Sequence, residues 1–128
     1  MFKVKICGIT NVKDVLFVEK LAADIIGMIF AKSPRMVTLK KAQKIVNALK
    51  LSTKKAGVFV NEDINVLNNI IKTLKLNFVQ LSGDENPSYI KKIRGAKIIK
   101  VIKVKNKKQV IEDIKRYKNL VHLFLFDT

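Results

Sequence analysis

The sequence predicts an α/β fold built on a parallel sheet. Short apolar runs alternate with amphipathic stretches along the whole chain. The connections between them are short, which favours βα units joined by right-handed crossovers. The run "DIIGMIF" at 24–30 stays apolar after its first residue, as a strand covered on both faces does.

The elements follow in order. Residues 2–7 read as a strand, and residues 12–22 as a helix capped by Thr10 or Asn11. Residues 24–30 form the second strand. Thr38 caps a helix with Leu39, Ala42, Ile45, Val46 and Leu49 on one face. "AGVFVN" at 56–61 is the third strand, and Ile64, Leu67, Ile70, Ile71 and Leu74 mark the stripe of its helix. "NFVQL" at 77–81 is the fourth strand, and Pro87 suits the first turn of the next helix. "KIIKVIKV" at 97–104 is the fifth strand. Val110, Ile111, Ile114 and Tyr117 mark the fifth helix, and "VHLFLFD" at 121–127 the sixth strand.

The expectation is a single domain over residues 1–128, since 128 residues fit one unit and no linker interrupts them. Two architectures fit: an open doubly wound sheet or a (βα)8 barrel. Neither GxGxxG nor GxxxxGK[ST] occurs, which lowers the nucleotide-binding reading. No run is long and apolar enough to span a membrane. The first residues alternate charged and apolar side chains, unlike a secretory signal. One cysteine cannot close an internal disulfide, which fits a reducing cytoplasm.

The net charge is +16. Three residues, Arg35, Arg94 and Arg116, supply all the arginine, and the lysines spread from residue 3 to residue 118. Tryptophan is absent and no aromatic stacking motif appears. A lysine-rich solvated surface accounts for this pattern, and no specific nucleic-acid partner is expected.

In a barrel, chemistry sits where strands end and the following loops begin. Cys7 and Gly8 end the first strand, and Arg35 follows the second. Asn61 ends the third; Ser82, Gly83, Asp84 and Glu85 follow the fourth; Asp127 ends the sixth. A thiol, a guanidinium, small polar groups and a carboxylate therefore share one rim.

These residues carry a resemblance. "KVKICGIT", "AADIIGMIFAKSPRMVT", "GVFVN", "VQLSGDE" and the final "DT" are collinear over the whole chain. Together they resemble the phosphoribosylanthranilate isomerases, (βα)8-barrel enzymes of tryptophan biosynthesis. The resemblance implies an incomplete TIM barrel, running from the first strand through the sixth. It implies an Amadori rearrangement of N-(5-phosphoribosyl)anthranilate to the aminoketose, with no metal or other cofactor. Cys7 matches the general base that takes a proton from sugar C2. Asp127 matches the general acid that protonates the ring oxygen. Arg35 matches the residue that meets the anthranilate carboxylate, and Asn61, Ser82 and Gly83 stand at substrate-binding positions.

Strand periodicity adds one idea of its own. Lys5 lies on the same strand face as Cys7, about 7 Å away. A positive charge there would favour the thiolate needed at neutral pH. Lys5 would need a partner inside a barrel, which the sequence does not name. The same alternation puts His122, the lone histidine, out of phase with Asp127.

Two positions depart from the resembled pattern. Ser82 stands where "QLHG" usually has histidine, and serine supplies no imidazole. Ala22 replaces the glycine of "GAD", a milder change. Five and a half βα units are expected here, without the Gly-rich loop and last two strands that hold the phosphate in the resembled family. A fragment inactive or weakly active alone is therefore expected, completed by a C-terminal segment or by self-association. The alternative is a non-catalytic basic half-barrel that binds a partner chain or nucleic acid.

Overall fold

The computed structural model describes residues 2–128. Met1, which the sequence reading counts within the domain, lies outside them. The strands are β1 (Lys5–Cys7), β2 (Ile25–Ile29), β3 (Lys54–Phe59), β4 (Phe78–Leu81), β5 (Lys97–Lys103) and β6 (Leu123–Asp127). Between them run α1 (Val12–Lys20), α2 (Leu39–Asn47), α3 (Ile64–Leu74), α4 (Pro87–Ile90) and α5 (Lys107–Tyr117). The strands pair in sequence order, every pair parallel. All six C-terminal ends therefore lie on one rim.

The sheet is curled. Flat, β1 and β4 would stand about 14 Å apart, three strand spacings. Yet the Lys5 ammonium donates to the Gln80 side-chain oxygen on β4. That contact requires a concave face, and the result is six strands of a (βα)8 barrel. The open-sheet alternative is excluded.

Alternation sorts the side chains. Ile26, Met28, Phe59, Val79, Leu81 and Ile98 point outward and join the helix residues Val15, Val18, Ala42, Ile45, Leu67 and Leu74 in one hydrophobic cluster. The buried Ile25, Ala56, Val58, Ile99 and Val101 lie apart from that cluster and line the concave side. Phe30 and Phe59 stack with ring centroids 5.2 Å apart, binding the β2 end to β3.

Helix starts follow their caps. The side chains of Asn11, Thr38, Asp63, Asn86 and Asn106 each accept a backbone N–H of the first turn. Asn11, not Thr10, caps α1. Several expected boundaries move. β1 starts at Lys5, because Phe2 and Val4 are exposed. β3 begins two residues early, at Lys54, which pairs with Ile25, and it ends at Phe59. The expected stripe on α5 is only partly met. Tyr117 is buried, but Ile111 is exposed, so this helix covers the sheet with fewer side chains than its pattern suggested.

Two residues beyond α1 comes Ala22, whose φ is +52°, in the left-handed region. This is the position of the expected glycine, and alanine is strained there. Ala22→Gly should therefore stabilise the fold by about 1 kcal/mol, despite the greater freedom of glycine in the unfolded chain. Urea denaturation of the two proteins measures this directly.

Candidate active site at the strand ends

Cys7 is half-buried at the end of β1, beside Gly27 of β2. A Cβ on Gly27 would stand 2.8 Å from the Cys7 Sγ, so glycine there makes room for the thiol. Gly8 follows with φ +88°, and a Cβ on it would lie 2.3 Å from Arg35 Nη1. The Arg35 guanidinium fills that space and donates to the Cys7 carbonyl at 3.3 Å. Thus the β1 end and the loop after β2 are one assembly. The thiol is its floor and the guanidinium its wall. Arg35 is exposed and keeps further N–H donors for an anion.

Below Cys7, the missing partner of Lys5 is Gln80. The Gln80 amide then donates to Ser82 Oγ at 3.4 Å. A polar line therefore crosses the concave face from β1 to Ser82. Burial lowers the Lys5 pKa from its usual 10.5, and the negative charge of Cys7 opposes that shift. Cys7 is thus one of the groups that act on the Lys5 charge.

Asn61 ends its strand in the left-handed region, φ +49°. Its side-chain oxygen accepts the Asp84 N–H at 2.9 Å. A Cβ on Gly83 would come within 2.6 Å of that oxygen. Asn61, Ser82 and Gly83 line a cavity of about 390 Å³ together with Lys100, Lys103 and Tyr117, and Cys7, Arg35 and Asp127 lie outside its lining. Asp127 stands on the same rim, in register with Lys103 on β5. Its carboxylate accepts the Thr128 N–H at 2.8 Å. The carboxylate is exposed and takes no hydrogen bond from another rim residue among the described residues. His122 is turned away, and its Nδ1 accepts the Ile98 N–H at 3.0 Å.

Two rim residues escaped the sequence reading. Gln80 was signalled by a lone amide within an apolar strand. Lys103 was obscured because Lys97, Lys100 and Lys103 recur every third residue, hiding the twofold alternation. Among the described residues no group of three or more His, Cys, Asp or Glu side chains could hold a metal ion. No helix is long and apolar enough to cross a membrane.

The chain has counterparts among known proteins. Residues 4–128 match the family model of N-(5'-phosphoribosyl)anthranilate isomerase. The chain belongs to this family. It is 42% identical over 128 residues to the N-(5'-phosphoribosyl)anthranilate isomerase of Clostridium acetobutylicum, covering 99% of this chain and 60% of that protein. Against the Bacillus subtilis isomerase it is 36% identical over 127 residues, covering 97% and 58%. The crystal structure of phosphoribosyl anthranilate isomerase from Thermotoga maritima superposes with a TM-score of 0.90 at 32% identity, covering 100% of this chain and 63% of that one. A further isomerase was solved in complex with reduced 1-(o-carboxyphenylamino)-1-deoxyribulose 5-phosphate. It gives a TM-score of 0.85 at 30% identity, covering 98% and 75%. The chain spans about 60% of the length of the curated relatives it matches.

The lowered Lys5 pKa has a consequence for stability. Between that pKa and 10.5 the unfolded state binds more protons at Lys5 than the folded state does. Wild-type stability should therefore rise with pH across this alkaline window. Lys5→Met should lose its share of the rise and gain most at neutral pH, where wild type carries a half-buried charge. Urea unfolding of both proteins from neutral to alkaline pH checks the difference.

Proposed function

We propose that this chain provides the acid–base chemistry of a phosphoribosylanthranilate isomerase, acting on N-(5-phosphoribosyl)anthranilate. The observation that carries the reading is the common rim, with Cys7 ending β1, Asp127 ending β6 and Arg35, in the loop after β2, hydrogen-bonded to the Cys7 carbonyl.

The chemistry is stepwise. Asp127 donates a proton to the furanose ring oxygen as its bond to C1 breaks. The nitrogen lone pair forms the Schiff base, which acidifies the hydrogen on C2. Cys7, as thiolate, removes that proton, and the resulting enolamine relaxes to the aminoketose. General acid–base assistance of this kind contributes about 10²–10⁴-fold to rate. Arg35 holds the anthranilate carboxylate. Its contact with the Cys7 carbonyl ties the position of the aromatic ring to that of the base. Asn61, Ser82 and Gly83, at the ends of β3 and β4 on the same rim, serve as substrate-binding residues. Lys5 tunes the thiol from below. The reading needs no cofactor, and the cytoplasm suits it.

Loss of substrate fluorescence measures turnover. The assay compares this chain alone with this chain mixed with the C-terminal segment of a family member, since remote phosphate contacts help drive the chemistry. Turnover in the mixture should fall by about 10²–10⁴-fold in Cys7→Ala and in Asp127→Asn. A folded mixture without turnover would refute the reading.

The role of Lys5 has its own check. In Lys5→Met the rate of Cys7 alkylation should need a higher pH to reach its plateau. An unchanged profile would remove Lys5 from the account.

A further inference from the structure

Beneath the rim lies a charge pair that the proposed chemistry does not use. Glu85 and Lys100 face each other at 3.0 Å, with side chains 1% and 4% exposed. They lie between the end of β4 and α5. Their contacts are specific. One Glu85 oxygen accepts the Asn61 N–H at 2.9 Å and the Gly83 N–H at 3.3 Å. Lys100 donates to the Gly83 carbonyl at 2.6 Å and reaches the Leu81 carbonyl at 3.4 Å. Ser82 is thus flanked by two residues whose backbones the pair holds. Its own N–H is fixed by the Phe59 carbonyl at 2.9 Å.

Two tyrosines close the arrangement. The Tyr117 hydroxyl donates to the Glu85 carbonyl at 3.0 Å, and its ring lies 5.5 Å from the Lys100 ammonium. The Tyr89 hydroxyl donates to the Glu62 carbonyl at 2.7 Å, next to Asn61. Burial, followed by Glu85, Glu62 and Asp63, pushes the Tyr89 pKa up to about 12, so it stays a donor.

A buried ion pair is a poor source of net stability, because desolvation offsets its attraction. What this one provides is geometry. The structure assigns Glu85 and Lys100 as positioning residues that set the backbone of Asn61 and Ser82 at the substrate-facing rim. Both side chains are almost wholly buried and act through the backbone they hold. The effect on turnover rests on the isomerase reading; the effect on the loops does not.

The test is the double variant Glu85→Met/Lys100→Met, which replaces the pair by apolar side chains. Amide hydrogen exchange should accelerate about tenfold or more at Asn61 and Gly83, with β2 and β3 amides unchanged. In the complemented assay, kcat/KM should drop by about 100-fold with Cys7 alkylation unaltered. If the double variant does not fold, Glu85→Gln serves. It keeps an oxygen for both amides but removes the charge that strengthens those bonds, so the same two amides should exchange faster. Unchanged exchange at Asn61 and Gly83, or uniform acceleration across the sheet, would overturn the inference. If wild type shows no turnover, the isomerase reading fails, and the exchange result still decides the positioning role.

Discussion

All of the rim chemistry depends on six strands running in one direction and pairing in sequence order. Parallel pairing brings each C-terminal end to the same side, whatever the distance along the chain. Residues 7 and 127 share a rim only because five crossovers return the chain to the start of the next strand. The curl then turns a row into a cup. Lys5 and Gln80 register that curl directly, as a contact between strands that a flat sheet would hold apart. Small side chains help on the concave face, where Gly27 and Ala56 stand between the β1 thiol and β4.

The polar groups inside this fold divide by the face they occupy. On the concave face a lysine, a glutamine and a serine form a line leading to the rim. On the outer face a lysine and a glutamate are sealed beneath α5. The first set borders the space where chemistry would occur. The second acts on the rim through backbone amides and carbonyls. This separation lets one strand, β4, serve both faces, with Gln80 and Ser82 turned inward and the backbone of Leu81 and Gly83 held from behind.

Much of this was legible in the sequence. The order of elements, the α2 and α3 stripes, the cap at Thr38 and the first-turn Pro87 depend on local pattern, and local pattern is what a sequence displays. Membership of the family was legible from collinear motifs. Strand starts were less so, because pairing decides them: Lys54 joins β3 only through its neighbour Ile25. The partner of Lys5 could not be read either, since it lies 75 residues away and depends on the curl. Ile111 shows the opposite failure, a helical pattern without a surface to cover. Glu85 was visible as one acid in "SGDE", but nothing local distinguished it from its exposed neighbour Asp84.

His122 is the chain's one imidazole, and its Nδ1 accepts the Ile98 N–H. An accepting Nδ1 places the ring proton on Nε2, so docking of β6 against β5 selects a single neutral tautomer. Freed from that contact, the ring could exchange between tautomers. Its nitrogen resonances are therefore a built-in spectroscopic reporter of whether the sixth strand, and the aspartate it carries, is seated.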